Sequence, residues 1–292
     1  MTVDGLLTNF VRSSVAYGTP PHLRDTQHDV PIPDPIDIYA PHEDTHDPGA
    51  AAVFVGLITL TKILDVYLEH VFLLKQGGDL LRRTTDLDLE SRLTQWEDSL
   101  PGELRRVILR GVGLDIPGSS NLRLAYLYIK LLGQKLELDN EKNGDSNSPI
   151  NLRNRQAQVR RAAEDIVLLI QELDDRALGD FWLTLSCFIL SSTVTFLLRC
   201  ALESESGPAG LADSISLKLA HDMVTALRSH RQRVGWDLGD ICIAQYSDVL
   251  EKLTTTAAEP SDAVPDFQEL WMANMPSVDD LFPSLWDMFD AA

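Results

Sequence analysis

Between positions 49 and 75, Val53, Leu57, Leu60, Leu64, Tyr67, Val71 and Leu74 recur at steps of three and four, and Phe54, Ile58, Leu68 and Phe72 widen the stripe. Such steps stack side chains on one face of a helix. A stripe this broad is buried against several neighbours at once. A chain that starts its folded part this way needs further helices to cover the apolar face. They follow at about 86–99, 121–138, 152–174, 180–203, 212–231 and 238–254, with no convincing strand alternation between them. The predicted fold class is therefore all-α, a multi-helix domain.

Polar, Gly- and Pro-bearing segments punctuate the pattern: SLPGEL at 99–104, DNEKNGDSNSP at 139–149 and SESGPAG at 204–210. The second has no apolar anchor and reads as a mobile connection. Residues 1–48 carry seven prolines and few periodic apolar positions after Val15. They read as a short helix at Leu6 to Ala16 followed by an extended strap across the helical body. The expected organisation is a strap at 1–48, a helical domain at 49–255 and a flexible tail at 256–292.

From Phe181 to Leu198, eighteen residues pass without a charge, close to the lower limit for a membrane span. Six of them carry hydroxyls (Thr184, Ser186, Ser191, Ser192, Thr193 and Thr195), so a fully buried helix at the centre of the domain is the better reading, and no membrane is expected. Cys187, Cys200 and Cys242 lie far apart, the first two inside apolar helical runs, where they act as small core residues rather than a disulfide framework. No basic segment followed by an apolar run opens the chain, and no Asn-x-Ser/Thr acceptor occurs, so a reducing intracellular compartment is expected.

Charge narrows the partners. The 44 acidic against 25 basic residues give a net of −19, which opposes contact with nucleic acid or anionic membrane. The densest basic cluster, Arg153, Arg155, Arg160 and Arg161, falls on a helical pattern and reads as a solvated face.

His42, Glu43 and His46 spell H-E-x-x-H, the helical pattern by which many zinc proteases hold their metal. Pro41 and Pro48 confine any helix here to about one and a half turns, too short to hold ligands rigidly. Asp47-Pro48 reads as an N-cap followed by a proline at the first helical position, which starts the next helix after the motif. The expectation is a loop, no metal and no zinc protease. His221 and His230 share a helical pattern and read as solvated or capping. No G-x-S-x-G turn or strand-borne phosphate loop occurs, so no enzyme and no catalytic residue is expected.

Five stretches, SSVAYGTPPHLRDTQHDVPIP, SRLTQWEDSLPGEL, NLRLAYLYIKLLGQK, FWLTLSCFILSSTVTFLLRCAL and GWDLGDICIAQYSDVLEKL, resemble in their order the regulatory, middle homology region of fungal binuclear-zinc-cluster (Zn2Cys6) transcription factors. SSVAYGTPPHLRDTQHDVPIP at 13–33 resembles the family's turn and strap, and SRLTQWEDSLPGEL its Trp-x-x-x-Leu-Pro helix end. NLRLAYLYIKLLGQK resembles its Leu-x-x-x-Tyr helix, FWLTLSCFILSSTVTFLLRCAL its long apolar helix, and GWDLGDICIAQYSDVLEKL its terminal helix. The resemblance covers about residues 5–255. GWDLGDICIAQ and the ending LFPSLWDMF are most similar to the cutinase-type, fatty-acid-responsive regulators. The family's zinc cluster needs six clustered cysteines, and this chain has three scattered ones. The resemblance therefore implies a regulatory portion without the DNA-binding module, with zinc only in that absent module and no direct contact with nucleic acid. It implies a nuclear protein, or a cytoplasmic one if the chain is a fragment without a nuclear signal, working as a homodimer or with full-length family members. The family often senses small metabolites through this region, but no motif here assigns a ligand contact.

After Lys252 there is no Lys or Arg, while Glu259, Asp262, Asp266, Glu269, Asp279, Asp280, Asp287 and Asp290 are acidic. Among them sit two short apolar groups, Phe267, Leu270 and Trp271, then Leu281, Phe282, Leu285, Trp286 and Phe289. Carboxylates between aromatics keep the aromatics solvated and available for a coactivator groove, so these eight residues are the candidate coactivator contacts. The alternative is a tail that packs its Trp and Phe onto its own domain, leaving a helical sensor or interaction module with no activating role. With the family resemblance, the expectation is an activator whose tail binds transcriptional coactivators.

Overall fold

The computed structural model describes Ile32 and residues 48–76, 89–143, 149–204 and 214–258. Among the described residues there are nine helices and no strand, so the fold is all-α. The helices are α1 (Pro48–Gln76), α2 (Leu89–Ser99), α3 (Gly102–Arg110), α4 (Ser119–Asn143), α5 (Pro149–Glu172), α6 (Asp175–Leu178), α7 (Ser186–Ser204), α8 (Ile215–Val234) and α9 (Asp240–Ala258).

The α4–α5 pair has the most extensive packing and forms the axis of the domain. α1, α2 and α3 lie against α4, α7 and α8 lie against α5, and α9 closes over α7 and α8. α7 also reaches α4, which makes it the element shared by both halves. One core results, with Leu122, Leu131, Ile166, Ile170, Leu190, Leu197 and Leu198 essentially without solvent contact.

Helix limits follow local chemistry. α1 begins at Pro48, where the missing N–H would have had no intrahelical partner. α8 ends at Gly235, whose φ of +74° is a left-handed cap that a side chain would strain, and its N–H donates to the Arg231 carbonyl at 3.0 Å. The WEDSLP turn is pinned twice. The Trp96 indole N–H donates to Thr59 Oγ1 at 2.9 Å, joining α2 to α1, and the ring stacks on Tyr126 of α4 at 6.0 Å. The Tyr126 hydroxyl in turn donates to Glu97 at 2.7 Å.

Three sequence expectations need correction. α3 and α6 lie in gaps between the expected helices, α3 starting within the SLPGEL segment; α3 is a two-turn amphipathic helix that buries Leu104, Val107 and Ile108. Arg123 of α4 donates to the Val107 and Ile108 carbonyls at 2.6 and 2.7 Å, so the end of α3 is held by a distant residue that local pattern does not reveal. α4 runs on to Asn143, absorbing the start of the expected loop at 139–149. The long apolar helix starts at Ser186 rather than 180, because the backbone before it is held by side chains of the 180–186 segment and α4, described below.

Within the described residues, the stretch long and apolar enough to cross a membrane is Pro48–Leu68 of α1, with a mean hydropathy of 1.8, rather than the run at 181–198. Of its most apolar window, 61% is buried in the domain. The basic cluster matches expectation: Arg153 and Arg161 are exposed, Arg160 is half-buried, and Arg155 pairs with Glu137 across the α4–α5 hairpin.

Candidate functional site

The site grows from one buried amide. Asn121, 2% exposed in the first turn of α4, donates through Nδ2 to the Phe181 carbonyl at 3.0 Å. Its Oδ1 accepts from Ser186 Oγ at 3.1 Å and from the Leu183 N–H at 3.4 Å. Just before it, Gly118 stands at φ +78° and its N–H donates to Asp180 Oδ2 at 2.5 Å. Asp180 Oδ1 also takes the Phe181 N–H at 2.7 Å. Residues 180–186 are thereby held against the start of α4, with the Phe181 and Leu183 N–H groups bonding side chains instead of a helix ladder. Phe181 turns outward and is 70% exposed, so it is not part of the buried helix the sequence led us to expect. Trp182 turns inward, its indole N–H donating to the Ala177 carbonyl at 2.9 Å and its ring meeting Trp236 edge-on at 5.3 Å.

Trp236 also meets His230 edge-on at 5.9 Å. His230 is 4% exposed, which corrects the solvated reading. Its Nε2 lies 2.7 Å from the Ile170 carbonyl, and a carbonyl only accepts, so Nε2 carries the hydrogen. Nδ1 is left to accept from Arg233 at 3.4 Å, and Arg233 pairs with Asp175 at 2.9 Å. This histidine ties α8 to the end of α5. His221 is exposed.

By fixing α7 and the segment before it, the Asn121 corner holds open a cavity of about 70 Å³ between α1, α4 and α7. Leu60 and Leu64 of α1, Ala125 and Ile129 of α4, and Leu185, Phe188 and Ile189 near the start of α7 give it an apolar wall. None of the described residues lining it is charged. Its polar groups are Thr61, Asn121, Ser186, Tyr128 and Ser192. Thr61 donates to the Leu57 carbonyl at 2.7 Å and Ser186 to Asn121, so both hydroxyl hydrogens are used. Tyr128 and Ser192 face each other at 3.2 Å. Burial pushes the Tyr128 hydroxyl above its ordinary pKa, so it stays protonated at neutral pH.

A wider cleft of about 470 Å³ lies among Asp115, Glu172, Asp174, Arg176 and Asp180. Two of its carboxylates already hold backbone N–H groups, Asp180 that of Gly118 and Asp174 that of Ala177 at 2.8 Å.

Among the described residues no group of three or more His, Cys, Asp and Glu is placed to hold a metal ion. His42, Glu43 and His46 lie outside the described residues, as do the short helix at Leu6 to Ala16 and, apart from Ile32 and Pro48, the strap. Phe267, Leu270, Trp271, Leu281, Phe282, Leu285, Trp286 and Phe289 also lie outside them. Sequence reasoning missed Asn121, Tyr128 and Ser192. The signal was present, since a cluster of hydroxyls within an apolar run marks a polar-lined interior as well as arguing against a membrane.

No family model, no curated protein and no solved structure matches this chain.

Proposed function

We propose that the chain is the regulatory and activating portion of a fungal transcription factor of the binuclear-zinc-cluster type. The observation that supports this reading is the order of the family-like stretches, of which the four that lie in described residues include joints between helices of the all-α fold. WEDSLP carries the Trp96 contact to α1, NLRLAYLY begins with Asn121, FWLTLS is the segment Asn121 holds, and GWDLGD places Trp236 against Trp182. Residues at such joints set helix geometry, which is the part of a family's sequence that a common fold constrains most. The net charge of −19 and the acidic, aromatic end of the chain support a role through protein partners rather than through DNA. Coactivators are the proposed partners of the tail, and the nucleus is the proposed place of action.

The test is to fuse the whole chain to an unrelated DNA-binding domain and measure a reporter. Activation that disappears when residues 259–292 are removed is the expected result. A second reading, a helical small-molecule sensor without activating role, is supported by the cavity beside Tyr128.

A further inference from the structure

We infer that the exposed face of α3 is a docking surface for the acidic, aromatic segment at 279–290 of the same chain. Docking there does not require that the tail activate transcription.

In a chain of net charge −19, α3 carries Arg105, Arg106 and Arg110 against Glu103 alone, all four exposed. Arg105 pairs with Asp98 of α2, but Arg106 and Arg110 enter no ion pair among the described residues. They sit one turn apart, where like charges repel and a carboxylate bound beside them relieves the repulsion. Arg123 brings a fourth guanidinium to the end of the helix. Apolar surface lies among these charges. Leu109, three positions after Arg106 and four after Arg105, is 47% exposed, and Val112, just past the helix, is 59% exposed. Other arginines offer less: Arg231 and Arg233 of α8 are taken by Asp240 and Asp175. On α5 the exposed Leu168 stands one turn from both Glu164 and Glu172, which repel an acidic ligand. The segment at 279–290 complements α3, with Leu281, Phe282, Leu285, Trp286 and Phe289 set among Asp279, Asp280, Asp287 and Asp290 and no Lys or Arg. Its carboxylates are twice those of the nearer apolar group, which has Asp266 and Glu269. Reach is sufficient. α9 ends at Ala258, and the positions from there to Leu281 span up to about 75 Å, whereas a domain of about 200 residues has a radius of gyration of about 16 Å. Tethering holds the segment at a local concentration on the order of mM, so a weak contact is populated yet open to competition from other ligands of the tail.

The test uses the full chain with labelled Leu, Val and Ile methyl groups, followed by NMR. Phe282→Ala, Trp286→Ala and Phe289→Ala together should shift the Leu109 and Val112 methyl signals at about 50 mM salt and leave those of Ile150 and Leu168 in place. The difference from the native chain should shrink at least about threefold at about 500 mM salt, where exposed charges are screened. In the reciprocal arm, fluorotryptophan is incorporated and the fluorine signal of Trp286 is read. Arg106→Glu with Arg110→Glu should move that signal to its position in the isolated tail peptide, and Arg106→Gln with Arg110→Gln should move it part of the way.

Leu109 and Val112 signals that do not respond to the three tail changes overturn the proposal, as do shifts at Ile150 and Leu168 in their place. Shifts that grow with protein concentration assign the occupant to the tail of a second copy and overturn it too. If the Glu pair fails to fold, the Gln pair and the methyl shifts decide. Transcriptional activity is read by the reporter alone, so that reading and this one fail separately.

Discussion

The side chain of Asn121 and the backbone carbonyl of Phe181 are joined by a 3.0 Å hydrogen bond that spans sixty positions of sequence and closes one end of the central cavity. The same amide accepts from Ser186 and Leu183, so a single side chain fixes where α7 begins. Removing it strands polar groups that are already out of water. Asn121→Ala should lower unfolding free energy by about 2–4 kcal/mol in urea titrations, well above the effect of an ordinary surface change. Asn121→Asp replaces the Nδ2 donor with a carboxylate oxygen facing the Phe181 carbonyl and buries its charge without a partner, so it should cost at least as much as Asn121→Ala.

Phe181 and Leu197 were both read as residues of one buried apolar helix, yet the first is 70% exposed and the second 0%. Phe181→Ser should change stability by less than about 0.5 kcal/mol. Leu197→Asp places an unpaired charge in the core and should cost about 4 kcal/mol or more, seen as loss of soluble protein. A large effect at Phe181 would contradict the outward turn of the 180–186 segment.

Alkaline pH should destabilise the domain. Burial pushes the Cys242 thiol up to about 12 and the Cys187 thiol up to about 11, from an ordinary value of 9.0. Tyr67, Tyr126, Tyr128 and Tyr246 are also raised above 10.0, chiefly by burial. In each case the folded state holds its proton more tightly than the unfolded chain does. This contribution is complete below about pH 9 and is lost as pH rises towards 12, because the unfolded state ionises first. Urea midpoints measured from pH 7 to pH 10.5 should therefore fall above pH 9. Native Cys187 and Cys242 should also react with a disulfide reagent at pH 8 far more slowly than in the unfolded chain.

The sequence carried much of this architecture and little of the site. α1, α5, α8 and α9 were legible because each presents a stripe at helical spacing, and Pro48 marked where the first begins. α3 was hidden because nine residues supply only two turns of pattern, and its end is held by Arg123 from another helix. His230 looked solvated because a polar residue near a helix end has no local sign of the Ile170 carbonyl that receives its hydrogen. Tyr128 and Ser192 meet across 64 positions, and no local period encodes such a meeting. The hydroxyls of the 181–198 run were noticed for their polarity, but their partners depend on how α7 lies on α4.

The claim that this chain activates transcription is tested most directly by fusing residues 260–292 to an unrelated DNA-binding domain and reading a reporter. Affinity for a shallow coactivator groove comes from a few large apolar anchors, while carboxylates keep the segment soluble and drawn to basic surfaces. The account predicts activation that Phe282→Ala, Trp286→Ala and Phe289→Ala together remove almost entirely. Asp279→Asn with Asp280→Asn should weaken it in part and make it less dependent on salt. An inert fusion, with the triple variant instead lowering the melting temperature of the whole chain, would contradict the account and leave a helical sensor whose tail packs on its own domain.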